Sequence, residues 1–118
     1  MTTNQTLLAL GGLITLAWLG PQGLRELGET CMGLAAYARE RVPLEPAFEQ
    51  PFFKEVAFRT PRPAREVIAA ARERGVHPGY AVGRDYEGLD DVLLVALTEK
   101  RTPADVDRLA EVLAEVCG

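Results

Sequence analysis

Few side chains in these 118 residues could do acid–base or nucleophilic chemistry. The single histidine, His77, is of the one residue type whose unperturbed side chain changes charge near neutral pH, and it could act as an acid or base. It precedes Pro78, however, and a histidine in such a turn is expected to be solvated or bonded to backbone. Arg84 offers a guanidinium suited to gripping a carboxylate in bidentate fashion. With Asp85 and Tyr86 beside it, the expectation is a local ion pair within a loop. Tyr80, next to Gly79, would either line a cleft or pack. Cys31 and Cys117 fall on apolar helical faces, where a thiol acts as a small hydrophobe, so both are expected to be reduced and structural. One histidine and no Cys-x-x-Cys pair argue against zinc. Thirteen basic and 17 acidic residues leave a net charge of -4. Arg62, Arg65, Arg72 and Arg74 are interleaved with Glu66 and Glu73 as an ordinary solvated face. No basic stripe of the kind that tracks a phosphate backbone is present, so nucleic acid is not expected as a partner.

Composition, at 47% hydrophobic and 25% charged, fits one globular domain over residues 1–118. Residues 6–19 read as a first helix ended by Gly20, and Pro21 opens a second. The stretch before Arg25 carries no charge and resembles a signal-peptide core. It has no basic flank, though, and its glycines interrupt a run too short to span a bilayer. The expectation is a helix docked on other protein rather than on a membrane, with Leu16 and Trp18 at the interface. Leu24, Leu27, Cys31, Leu34, Ala35, Ala38 and Val42 recur at helical spacing along the second helix. Pro43, Pro46 and Pro51 enforce a loop. Val56 and Phe58 alternate with Glu55, Ala57 and Arg59 as in a strand with one wetter face. A third helix follows Pro63, with Ala64, Val67, Ile68 and Ala71 inward and Gly75 as its stop. Residues 76–82 read as a short extended segment. Residues 92–97, six apolar residues without alternation, read as a central strand covered on both faces. Thr102, Pro103 and Asp105 form the start of a capped last helix whose inward face is Val106, Leu109, Ala110, Leu113, Val116 and Cys117. The order predicts an α+β two-layer domain: a short, mainly antiparallel sheet with helices chiefly on one face.

Five short motifs carry a resemblance: Thr3-Asn4-Gln5 before the first helix, Leu19-Gly20-Pro21-Gln22-Gly23-Leu24, Pro51-Phe52-Phe53, Gly83-Arg84-Asp85-Tyr86, and Thr98-Glu99-Lys100-Arg101. In this colinear order they resemble the C-terminal end of subunit 1 in the glycine decarboxylase (P-protein) family of the glycine cleavage system. That family has the fold-type I pyridoxal-phosphate architecture. The resemblance covers nearly the whole chain. It implies a parent oxidoreductase that decarboxylates glycine with pyridoxal 5'-phosphate and passes an aminomethyl group to the lipoyl arm of the H-protein. It further implies that the Schiff-base lysine belongs to subunit 2, and that Thr98 and Glu99 have structural, interface roles here. The only lysines, Lys54 and Lys100, fall at the start of a strand and at a strand-to-helix turn, and no glycine-rich phosphate cradle is seen. The chain alone is therefore expected to hold no cofactor covalently, to be inactive, and to self-associate through its apolar first helix. Its expected partners are subunit 2 and the remainder of subunit 1, in the cytoplasm. Met1 directly before a motif internal to that family is expected to mark a start within a longer polypeptide. Two other readings stand beside this one: a stand-alone ligand-binding or interaction module, and the small domain of another enzyme of the same fold class, such as an aminotransferase or cysteine desulfurase.

Overall fold

The computed structural model describes residues 5–118, so Thr3 and Asn4 of the first motif lie outside the described residues. Helix α1 (Thr6–Arg41) is broken where the sequence places the boundary between its first two helices. Gly20 has φ 62° and ψ -176°, a conformation open to a residue without Cβ, and Pro21 follows. The result is a first arm, residues 6–19, and a second arm, residues 21–41. The second arm buries Cys31, Leu34, Ala35 and Ala38 along one stripe. Leu24, expected on that stripe, lies ahead of the covered part and is exposed. Pro43 bars continuation, and the Val42 N–H closes the helix on the Ala38 carbonyl at 2.9 Å.

Strand β1 (Glu55–Arg59) points Val56 and Phe58 inward. Its outer edge is covered by the proline-rich loop: the Ala47 N–H donates to Ala57 O and the Arg59 N–H to Glu45 O, each at 2.8 Å. Helix α2 (Ala64–Glu73) buries Ala64, Val67, Ile68 and Ala71, as its spacing predicts. Strand β2 (Tyr80–Ala81), a 3₁₀ turn (Val82–Arg84), strand β3 (Val92–Ala96) and helix α3 (Pro103–Cys117) complete the order. Among the described residues the sheet has three strands in the order β1-β3-β2, antiparallel throughout, with Val56 opposite Val95 and Tyr80 opposite Leu94. The expected α+β class is the one found. Val56, Phe58, Leu93 and Val95 meet the second arm of α1, α2 and α3 on one face. Phe58, Leu93, Val67, Val112 and Leu113 are fully buried there. Burial of each such side chain stabilises the fold by about 1.5–3 kcal/mol.

Two expectations need correction. The extended segment over residues 76–82 shrinks to a two-residue strand. Pro78 has no N–H to donate, and Gly79 sits at φ 151°, so close to β3 that an added Cβ would lie 2.1 Å from the Leu94 carbonyl oxygen. The apolar run over residues 92–97 is covered fully on the helix side and only in part on the other. Leu93, Val95 and Leu97 are buried on the helix side, and on the opposite face Val92 is buried, Leu94 half-buried and Ala96 exposed.

Candidate functional site

The side chains singled out in the sequence do not converge on one reactive centre. His77 and Tyr80 share a cleft of about 790 Å³ between the 75–80 loop, the end of β3 and the first turns of α3. His77 Nε2 faces the Arg72 guanidinium, which donates to it. Tyr80 gives its hydroxyl proton to Asp85. That bond, assisted by partial burial, raises the Tyr80 phenol above its ordinary range. Arg84 lies on the 3₁₀ turn away from that cleft. The expected ion pair to Asp85 is absent among the described residues, and Asp85 instead accepts from Tyr80.

Thr98 and Glu99 form the turn between β3 and α3. The Arg101 N–H donates to Thr98 O at 2.9 Å, and Glu99 Oε2 lies 3.9 Å from Cys31 Sγ on α1. Glu99 thus reaches across from the turn to the helix layer. Thr102 and Asp105 close the start of α3 as a reciprocal capping box, with the Thr102 N–H to Asp105 Oδ2 at 2.8 Å and the Asp105 N–H to Thr102 Oγ1 at 3.2 Å. The Thr102 backbone and hydroxyl donors hold the Asp105 carboxyl below its usual range.

A polar cluster that the sequence did not single out ties α1 to α3. Asp107 accepts from Arg41 Nε at 2.6 Å and from the Tyr37 hydroxyl at 2.8 Å. The Arg41 bond, then the Tyr37 bond, lowers the Asp107 carboxyl, and Asp107 in turn raises the phenol of Tyr37. Tyr37 and Arg41 stand four residues apart on one helical face, which was the available sign. Their partner lies 66 residues or more further on, where spacing carries no information. Cys31 is buried and Cys117 partly buried, and burial pushes the Cys117 thiol up, as suits a packing role.

These residues do not fit covalent attachment of pyridoxal phosphate. A Schiff-base lysine needs desolvation or a neighbouring cation to free its amine, whereas Lys54 and Lys100 are exposed in turns. A phosphate is commonly held at a helix N-terminus. At α2 the Ala64 N–H already donates to Asp90 O at 2.8 Å, and α3 is closed by its capping box and Pro103. Among the described residues no group of three or more His, Cys, Asp or Glu is placed to hold a metal.

The dominant surface feature is the first arm of α1. Leu7, Leu8, Leu10, Leu13, Ile14, Leu16 and Trp18 are between 50% and 87% exposed. At about 100° per residue these seven point to every side of the helix. By length and composition α1 also passes as a membrane-crossing helix. The break at Gly20 limits the straight apolar part to residues 6–19, about 21 Å at 1.5 Å per residue. A hydrocarbon core is about 30 Å thick.

No family model matches the chain. A protein of Methylococcus capsulatus named "probable glycine dehydrogenase (decarboxylating) subunit 1" is 42% identical over 118 residues, covering 97% of this chain and 26% of that protein. Its namesake in Thioalkalivibrio sulfidiphilus is 46% identical over 114 residues, covering 94% and 25%. A crystal structure of glycine decarboxylase (P-protein) of the glycine cleavage system, in inhibitor-bound form, superposes with a TM-score of 0.84 at 38% identity, over 98% of this chain and 27% of that one. The chain spans about a quarter of the length of the curated relatives it matches. Sequence and backbone therefore agree that this chain is similar, nearly end to end, to one domain-sized quarter of glycine dehydrogenase (decarboxylating) subunit 1.

Proposed function

We propose that these residues form the C-terminal, non-catalytic domain of subunit 1 in a cytoplasmic glycine-decarboxylating enzyme. Its work is assembly around an active site whose pyridoxal phosphate is held by a lysine of subunit 2 and whose aminomethyl product passes to the lipoyl H-protein. The observation that carries this reading is the first arm of α1. A helix apolar on all sides is stable in water only when enclosed, and nothing among residues 20–118 encloses it. Two copies packed side by side would cover one stripe on each helix and leave the rest wet. A surrounding body, supplied by the remainder of a subunit four times this size, covers all sides. The similarity to glycine dehydrogenase subunit 1 supplies the chemical identity of that body.

The test is complementation. The corresponding quarter is deleted from the Methylococcus capsulatus relative, which is then expressed with its subunit 2, and this chain is supplied in trans or fused in place. Assembly with subunit 2 and glycine-dependent release of carbon dioxide are expected to return only when the chain is present. The chain alone should release none and form no borohydride-trapped adduct with pyridoxal phosphate. A stoichiometric adduct on Lys54 or Lys100 would overturn the reading. So would saturable glycine binding by the isolated chain in the cleft beside His77 and Tyr80, which would favour a stand-alone binding module.

A further inference from the structure

The face of the sheet opposite the helices forms a second unpartnered surface, distinct from the first arm. Between Glu55 and Arg59, which share this face, its floor is Ala57, Leu94 and Ala96, small or apolar residues at positions where a fully wetted sheet face carries polar side chains. One cleft, of about 420 Å³, opens onto it and is walled by Phe48 and Phe53; the cleft beside Tyr80 runs from it round the end of β3 to the first turns of α3, and the two meet at Glu55 and Leu94. The continuous apolar run of β3 has the composition of a strand covered on both faces, yet on the face away from the helices cover within residues 5–118 reaches Val92 and fades through half-buried Leu94 to exposed Ala96.

We propose that this trough is the seat of an apolar segment from the part of the longer subunit that lies outside these residues. Three observations carry the choice of occupant. The relatives are about four times as long as this chain, so a large body of polypeptide is available beside it. The floor is shallow and apolar with aromatic walls, which suits side chains from a packed segment better than a small polar ligand. Lys54 and Arg101, one lining each cleft and both at the Glu55–Ala96 end of the sheet, make no ion pair among the described residues. Glu55 lies between them, and Asp105, which lines the same cleft, feels the Arg101 charge, so that end carries both signs, as the rim of a protein–protein contact does. The segment therefore sets its apolar side chains over Leu94 and Ala96, with polar groups at its rim. The inference rests on the assembly role proposed above, and it assigns a second docking face to that role.

Thiol labelling tests it. Ala57→Cys and Ala96→Cys are each made in this chain fused in place of the corresponding quarter of the Methylococcus capsulatus relative. They are also made in the free chain carrying Leu13→Glu and Leu16→Glu, which keeps it monomeric. Maleimide reaction at both positions is expected to be at least tenfold slower in the fused subunit than in the free chain, while Glu111→Cys on the outer face of α3 reacts equally in both. Equal rates at positions 57 and 96 overturn the proposal. Leu13→Cys in the fused subunit separates the two readings. A protected arm with a reactive trough sinks the trough alone, and a reactive arm sinks the assembly role. If the fusion does not fold, the same rates are read on the free chain carrying each cysteine but not the two glutamates, mixed with the relative lacking that quarter. Absence of protection in that mixture, when the two pieces co-sediment, has the same overturning force.

Discussion

Charging the first arm should make the isolated chain monomeric without unfolding it. The seven large apolar side chains of residues 6–19 are on average about two thirds exposed. At about 1.5–3 kcal/mol for each fully buried side chain, complete cover of the arm is worth roughly 7–14 kcal/mol. Association between separate molecules costs an estimated 4–15 kcal/mol in lost freedom. A side-by-side pair covers about half of each arm and so gains about the same 7–14 kcal/mol in total. Set against that cost, the balance spans no association to about -10 kcal/mol, whose favourable end reaches micromolar affinity, and predicts weak, concentration-dependent self-association. The same arm built into a larger subunit does not carry that cost. Leu13→Glu with Leu16→Glu removes two side chains that are 63% and 52% exposed, a loss of roughly 2–4 kcal/mol of burial. At 1.4 kcal/mol per tenfold, association weakens by about 30-fold or more, before the desolvation of two carboxylates is counted. Sedimentation velocity across the micromolar range checks this. Chemical denaturation provides the control: residues 5–18 are exposed, so the unfolding midpoint of the double variant should match the parent. A parent chain that stays monomeric throughout, or a double variant that associates as strongly, would refute the reasoning.

Gly79→Ala should cost more than 3 kcal/mol in urea unfolding and detach β2. It combines a left-handed φ, worth about 1–3 kcal/mol, with a Cβ pressed against the Leu94 carbonyl. Thr102→Ala should cost about 1 kcal/mol by opening the capping box, with fraying at the start of α3 visible in amide exchange. Asp105 and Asp107 have folded pKa values below their unfolded ones, so their contribution is present above the ordinary carboxylate range near pH 4 and is lost as pH falls through the folded values. The melting temperature of the double variant Asp105→Asn, Asp107→Asn should accordingly fall less steeply than the parent's below about pH 4. Asp107→Asn should also return the Tyr37 phenol toward its ordinary range, read as an earlier rise in phenolate absorbance on alkaline titration.

Local chemistry made most of the fold legible in the sequence. Gly20-Pro21, the two prolines before α2, the alternation around Val56 and Phe58, and the Thr102-Pro103-Asp105 start of α3 each act within a few residues. Each appears in the structure where it was expected. What spacing could not supply was contact between distant segments. The Asp107 cluster joins groups 66 and 70 residues apart, and Asp85 bonds Tyr80, five residues back, where adjacency suggested Arg84. The candidate site was least legible for a further reason. Its most informative groups are apolar, and their message lies in what they fail to touch.

The strand over residues 92–96 shows how far such a failure can be argued. Hydrophobic runs without alternation arise where both faces of a strand are dry, because each apolar side chain left in water forgoes about 25 cal/mol for every Å² that could be buried. In this chain Val92, Leu93 and Val95 are dry, while Leu94 is half-covered and Ala96 exposed. An antiparallel sheet with one wet face would be served by polar residues at positions 94 and 96, as Glu55 and Arg59 serve the edge of β1. The first arm of α1 shows the same mismatch on a larger scale. Two mismatches on separate elements, each pointing away from the helix-side core, are what one domain of a larger packed body shows when its neighbours are absent. A stand-alone module would require a separate explanation for each. The labelling rates at positions 13, 57 and 96 therefore bear on the whole reading: protection at all three in the longer subunit joins the mismatches to one cause, and free reaction at all three separates this chain from any such body.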